Sequence, residues 1–316
     1  MEWLTDLSAA VLLFSLLMYL MLDGTDLGAG MLIIIFHREE QKRLIVRSML
    51  PIWDANETWL VLLAGGLFAL FPAAYSLLFS ALYIPLFVML FCLILRAIAL
   101  EYRETVAIET RHRLDKLLPL SSALAAYCQG ASAGMVVSGT LSADAFAWLG
   151  FYPMLSGLGL VTVYLLLGCG WIRWRVAGSV GRETPKLTRI LLLLGLALFV
   201  IIEYFNPAPL QHLSEHVWGK GLNAMIIMVW ISLFVTVSKI NSFLHLLLSL
   251  ILLAAITIQM GMGFYPELIQ GQLKLHQTSS DITTQWFVLS GIAFIIPVTL
   301  AYHSWAFWVF RGKIEK

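Results

Sequence analysis

Charge is scarce in this chain. Of 316 residues only 12% are Asp, Glu, Lys or Arg, about half the share in an ordinary soluble domain. The formal net charge is +1, so there is no basic field to hold a nucleic acid. Cysteine is scarce too. Cys92, Cys128 and Cys169 stand alone in apolar runs, which excludes both a disulfide framework and a thiolate metal centre built on a Cys-x-x-Cys pair. The first residues, MEWLTDLSAA, lack the basic stretch that opens a secretory signal, so the first helix is expected to be retained. Low-complexity segments and long linkers are missing, and no gap between apolar runs could hold a soluble domain.

What fills the chain is hydrophobic residues, 60% of the total, with a mean hydropathy of +0.85. That is a polytopic membrane protein, all-α, in one transmembrane domain over 1–316. A spanning helix needs roughly 20 apolar residues. Nine such runs are expected, at about 8–35, 52–72, 76–98, 118–139, 148–171, 189–205, 221–238, 242–262 and 286–310. Lys and Arg test that count through the positive-inside rule. Four lie in the gap 36–50, five in 96–118, five in 171–189, one in 238–242 and three after 310. The intervening gaps hold only Lys220 and Lys274. A wrong number of spans would scramble this alternation. It predicts an N-terminus outside and a C-terminus in the cytoplasm.

A carboxylate at membrane depth is costly and is by default a functional hypothesis. Asp23 and Asp26, in YLMLDGTDLGAGML, are three apart and share a face of the first span. Gly24 and Gly28 beside them allow a close helix approach. Asp54 and Glu57, in PIWDANETWL, are again three apart and open the second span at its cytoplasmic mouth. Since the two spans run in opposite directions, all four carboxyls are expected to converge at similar depth. Arg96, at the cytoplasmic end of the third span, is the cation available to neutralise one of them, and an unpaired carboxyl there would hold a proton. This is the chemistry of a proton relay. The competing reading gives Asp54 a helix-capping role through the Asn56 and Glu57 amides, Asp23 and Asp26 structural hydrogen bonds, and Trp53 and Trp59 places in an interfacial belt.

Other polar groups weigh less. His245 and His303 are the two histidines expected within spans, and a pair at equal depth could hold a b-type haem, but satisfied histidines near an interface are far commoner. His212-Leu-Ser-Glu215-His216 has the form H-x-x-E-H of a metallopeptidase, yet it sits in a short external loop with no third ligand. Gln129, Glu203 and Gln259 are read as packing or helix-exit residues. No metal-binding or cofactor-binding residue is assigned.

The segments LDGTDLGAGML (22–32), PIWDANETWLVLLAGGLFALFP (51–72) and LILRAIALEYR (93–103) together resemble subunit II of the cytochrome bd family of quinol oxidases. The likeness is looser afterwards, at GMGFYPELI (261–269) and SSDITTQWF (279–287). DGxDxGxG on one span followed by WDxNxxWL on the next is the specific combination. The resemblance implies nine spans in two four-helix bundles plus one extra helix. It implies a bacterial inner-membrane complex that reduces dioxygen to water with electrons from a quinol. It places two haems b and one haem d on subunit I, a separate chain, and leaves membrane lipid, quinone and a small extra subunit as further partners. By motif, Asp54 matches the family's candidate for a cytoplasmic proton path, and Asp23, Asp26 and Arg96 match positions of less defined role. Trp53 and Trp59 would then pack subunit I and dry the entrance. Two other readings stand beside this one: a purely structural scaffold, and a secondary transporter with DGTDLGAG as a helix break.

Overall fold

The computed structural model describes residues 2–141, 144–178, 180–205, 211, 213, 216–237, 242–269 and 273–314. His212 and Glu215 of the H-x-x-E-H stretch lie outside the described residues. The architecture is all-α. The helices are α1 (Glu2–Leu32), α2 (Glu39–Met49), α3 (Trp53–Leu70), α4 (Pro72–Ala81), α5 (Tyr83–Tyr102), α6 (Ile108–Val137), α7 (Phe151–Arg175), α8 (Val180–Tyr204), α9 (Val217–Thr236), α10 (Ser242–Phe264), the single turn α11 (Leu275–Thr278) and α12 (Ile282–Val309). A small antiparallel pair, β1 (Glu267–Ile269) and β2 (Leu273–Lys274), precedes α11.

Seven of these helices are long and apolar enough to cross a membrane: α1, α5, α7, α8, α9, α10 and α12. α3 and α6 occupy the second and fourth expected spans but do not have that apolar length. α3 has only 18 residues and carries Asp54 and Glu57. α6 has 30 residues, but its first three turns are charged and its remainder is rich in Ala, Ser and Gly.

Two local departures from the sequence reading have plain causes. The gap 36–50, read as a basic loop, is mostly the helix α2. Leu44, Ile45, Ser48 and Met49 recur at helical spacing and are buried, while Arg43 stays exposed. The third span, expected from 76, begins at Tyr83, because Pro72 starts a separate helix that ends at Ala81. Pro85 then sits in the first turn of α5, where a missing N–H costs no helical bond.

α7 is the central helix, packed by α1, α6, α8 and α10. The tightest crossing is with α1. A Cβ on Gly28 would lie 1.8 Å from the Tyr164 carbonyl oxygen, and one on Gly168 would lie 2.3 Å from the Gly28 carbonyl carbon. The two backbones touch there, which only glycine permits. α3 also packs on α1, and α5 on α6. These contacts bury the whole DGTDLGAG segment, Asp23 to Gly30.

At one end of the helices, polar side chains tie the short segments together. Arg103 is fully buried and its guanidinium reaches three acids: Asp115 (Nε to Oδ1, 2.6 Å), Glu39 (2.9 Å) and Glu104 (3.2 Å). Lys42 bonds the other oxygen of Asp115 at 3.1 Å. Burial alone would raise the Asp115 pKa, but hydrogen bonds from Arg103 and Lys42 outweigh it and hold the carboxyl below its usual range. Burial likewise opposes the Arg103 charge, and Asp115 and then Glu39 reverse that and push its pKa up. At the same end Arg175 donates to the carbonyls of Gly312 (2.6 Å) and Phe310, with its guanidinium over Trp171 and Trp174.

Candidate functional site

The carboxyls singled out from the sequence meet at Arg96. Its side chain projects from α5 with 0% exposure. Nη1 donates to Asp23 Oδ1 on α1 at 2.5 Å, and Nη2 donates to Glu57 Oε1 on α3 at 2.7 Å. One guanidinium thus fastens three helices. Arginine suits the task because its planar fork serves two carboxylates at once. Asp26, one turn along α1 from Asp23, is 1% exposed and accepts from Asn56 Nδ2 at 2.7 Å. Several atoms of this cluster are buried with no hydrogen-bond partner among the described residues: Asp23 Oδ2, Asp26 Oδ1, Asn56 Oδ1 and Arg96 Nε.

Exposure is graded across the site. The Glu57 side chain is 31% exposed, whereas those of Asp23 and Arg96 are at 1%. Asp54 is exposed and does not join the ion-paired cluster. It stands one turn before Glu57, in the first turn of α3, with the Ala55 N–H bonded to its own Oδ1 at 2.8 Å. It does not cap α3 through the Asn56 and Glu57 amides. The N-cap is Ile52, which has no side-chain cap bond. So Asp23, Asp26, Glu57 and Arg96 are brought together, and Asp54 lies outside them at the surface.

The two tryptophans separate. Trp53 is half-buried and its Nε1 donates to Glu101 Oε1 at 3.1 Å. Trp59 is fully buried within this chain, edge-on to Phe14 at 5.7 Å and beside His303 at 6.1 Å, and its backbone carbonyl accepts from Ser15 Oγ. It is therefore not free to pack another subunit, as the sequence reading expected.

Four participants were missed or undervalued. Asn56, inside the WDxN motif, is the neutral partner of Asp26. Gln129 on α6, read only as packing, bridges two tyrosines: Tyr164 Oη donates to its Oε1 at 2.7 Å, and its Nε2 donates to Tyr19 Oη at 2.7 Å. The Tyr164 ring lies where a Cβ on Gly24 would be, 2.4 Å away, next to Asp23. Neither tyrosine could be assigned from sequence, because aromatics in spans are common; Asn56 and Gln129, as rare intramembrane amides, carried a usable signal.

His245 and His303 are both buried. His303 Nδ1 donates to the Thr299 carbonyl of its own helix at 2.8 Å, and the His245 ring lies against Gly170 of α7. Side chains and backbone of this chain occupy the ground beside both rings. Both ring nitrogens of His245 and Nε2 of His303 are buried with no hydrogen-bond partner among the described residues. No group of three metal-ligating side chains exists among the described residues.

The model of the family described as cytochrome bd terminal oxidase subunit II matches residues 4–310. The chain belongs to that family. It is 23% identical to the Escherichia coli cytochrome bd-I ubiquinol oxidase subunit 2, covering 93% of this chain and 90% of that one. It is 22% identical to the Bacillus subtilis cytochrome bd ubiquinol oxidase subunit 2, covering 94% and 93%. In fold it is similar to a chain of the bd oxidase of Geobacillus thermodenitrificans, with a TM-score of 0.75 at 13% identity over 98% of both chains. As a bd oxidase subunit II the chain is part of an oxygen-reducing oxidase of a bacterial respiratory chain.

Proposed function

We propose that this chain supports the haem-bearing subunit I and delivers protons from the cytoplasm toward its oxygen-reducing centre. The substrate pair is a quinol and dioxygen, and all haems, expected as two b and one d, belong to subunit I. In this reading the chain is one transmembrane domain of nine crossings, in two four-helix bundles plus an extra helix. It lies in the bacterial inner membrane with its N-terminus outside and C-terminus in the cytoplasm. Lipid, quinone and a small extra subunit are further partners.

The observation that carries the proton reading is the graded carboxyl series about Arg96. Asp54 is exposed at the mouth of α3, Glu57 is one turn inward and in part exposed, and Asp23 and Asp26 are buried. Two carboxyls share one guanidinium, and a third, Asp26, lies one turn away with only an amide for a partner. Excess negative charge at that depth is costly unless protons bind. Arg96 itself cannot give up its proton; it holds Asp23 and Glu57 in place and keeps their charge tolerable. Protons taken from the cytoplasm for water formation, while quinol oxidation releases its own outside, generate a proton-motive force without a pump.

The test is oxygen consumption with quinol by the purified complex carrying Glu57→Gln or Asp54→Asn, with the haem spectrum recorded alongside. Turnover should fall severalfold or more with the haem bands intact. Normal turnover in both variants would return the chain to a scaffold role.

A further inference from the structure

We propose that Gln129 is a proton block, which closes the carboxyl cluster off from the external half of the protein. The inference rests on the proton-path reading above. A route that admits protons from the cytoplasm must not continue to the far side, or the gradient would drain through it. The risk here is concrete. Tyr19 stands four residues from Asp23 on the same face of α1, on the external side of it in the proposed topology. The Tyr164 ring packs against Gly24, beside the same carboxyl. Both tyrosines are buried, at 2% and 0% exposure. A phenol both accepts and donates, so two phenols joined by water or by an acid would continue the relay outward.

What joins them instead is an amide. Tyr164 Oη gives its hydrogen to Gln129 Oε1, and Gln129 Nε2 gives one to Tyr19 Oη. Both hydroxyls are satisfied, so the link costs little to bury. A carboxamide passes a proton only by taking one on oxygen and losing one from nitrogen, through a high-energy imidic acid form. At neutral pH it has no titratable site. The arrangement therefore provides hydrogen bonds without conduction. An acid of the same length would fit the same space and make the same two contacts, yet could relay.

The experiment uses the assembled two-subunit complex in sealed liposomes containing potassium salt. Valinomycin sets a diffusion potential, and an entrapped pH dye reads proton influx with no quinol present. Gln129→Glu should raise the influx severalfold over the unaltered complex. Adding both Tyr19→Phe and Tyr164→Phe to Gln129→Glu removes the two hydroxyls next to the cluster and should return the leak to baseline. If Gln129→Glu does not assemble, as judged by the haem spectrum, Gln129→His places another relay group at the same position and is read in the same way. Vesicles carrying the relay-competent variant that remain as tight as the unaltered ones would overturn the proposal, as would a leak indifferent to the loss of both tyrosine hydroxyls. Turnover of Glu57→Gln, measured separately, distinguishes the two failures. Normal turnover there and in Asp54→Asn sinks the proton path itself, whereas lost turnover with tight Gln129→Glu vesicles sinks only the block.

Discussion

Arg96 concentrates the energetic risk of the molecule in one side chain. It is buried, two carboxylates depend on it, and they come from different helices. Removing one partner of a buried ion pair costs roughly 3–5 kcal/mol, because the stranded charges stay out of water. Arg96→Gln should therefore lower the melting temperature of the purified complex and the amount that assembles. Adding Asp23→Asn, which removes one stranded charge, should restore part of the loss. Arg96→Lys should fall between, since an ammonium reaches as a point charge and cannot span both carboxylates as the guanidinium does. A melting curve for Arg96→Gln that overlays the unaltered protein would refute this account. At this scale the sequence was informative about charge and poor about geometry. Spacing placed Asp23, Asp26, Glu57 and Arg96 at one depth, because intramembrane charges must find one another. It could not show that Asp54 stays exposed while Glu57, on the same face one turn further in, reaches Arg96, since the depth at which α3 begins is not fixed by the pattern. Trp59 misled for a related reason: a tryptophan near a span end is commonly interfacial, and only packing against Phe14 and His303 reveals a core residue.

At the scale of elements, the small-residue pattern on α1 translated directly into a helix crossing, though the partner, α7, could not be read from it. Gly28 and Gly168 meet backbone to backbone, so Gly28→Ala would drive a methyl into a carbonyl and must separate α1 from α7. Assembly of the complex should fall sharply. Gly65→Ala on α3 is the matched control, because nothing lies within 4 Å of its Cβ position, and it should insert and fold normally when each variant chain is expressed alone. Comparing membrane-inserted, folded protein for the two substitutions checks this; equal yields would mean the crossing tolerates separation. The end cluster of α2, α5 and α6 behaves differently, because it titrates. The Asp115 pKa is depressed in the folded protein, so its ion pairs stabilise above the unfolded carboxyl value of about 3.9 and are lost as pH falls through the lower folded value. Asp115→Asn should cost stability at neutral pH and flatten the decline of melting temperature between about pH 5 and pH 3. An unchanged acid limb would show that the pairing of Asp115 with Arg103 and Lys42 does not govern acid stability. α2 was legible only in retrospect: eleven residues dominated by charge read as a basic loop, and the apolar stripe of Leu44, Ile45 and Met49 became meaningful once there was a surface for it to cover.

For the whole molecule, the open matter is how many times the chain crosses the bilayer. Length and hydropathy alone admit seven helices and pass over α3 and α6. Charge alternation favours nine. The side-chain bonds support nine by a separate route. Trp53, at the start of α3, bonds Glu101 at the end of α5, so α3 and α5 run oppositely through the same layer. Arg103, just after α5, is bonded to Asp115 near the start of α6 and to Glu39 at the start of α2, so these positions share one end. Tyr127 late in α6 lies edge-on to Trp148, just before α7, which puts the far end of α6 with the start of α7. If α5 and α7 cross, α3 and α6 must cross as well. α3 and α6 are less apolar than the other spans because α3 carries Asp54, Asn56 and Glu57 and α6 opens on charged turns and continues in small residues suited to close helix packing. Two introduced cysteines decide the matter. The native ones, Cys92, Cys128 and Cys169, are all buried, so they contribute little background. Thr105 and Thr140 are exposed on either side of α6. With nine crossings, Thr105→Cys faces the cytoplasm and Thr140→Cys the outside. A membrane-impermeant maleimide should then label Thr140→Cys in intact cells and Thr105→Cys in inverted vesicles. With seven crossings that omit α3 and α6, both cysteines face outside and both label in intact cells. That result would place Asp54 and Glu57 off the transmembrane path, and would withdraw the carboxyl series around Arg96 as a route for protons across half the membrane.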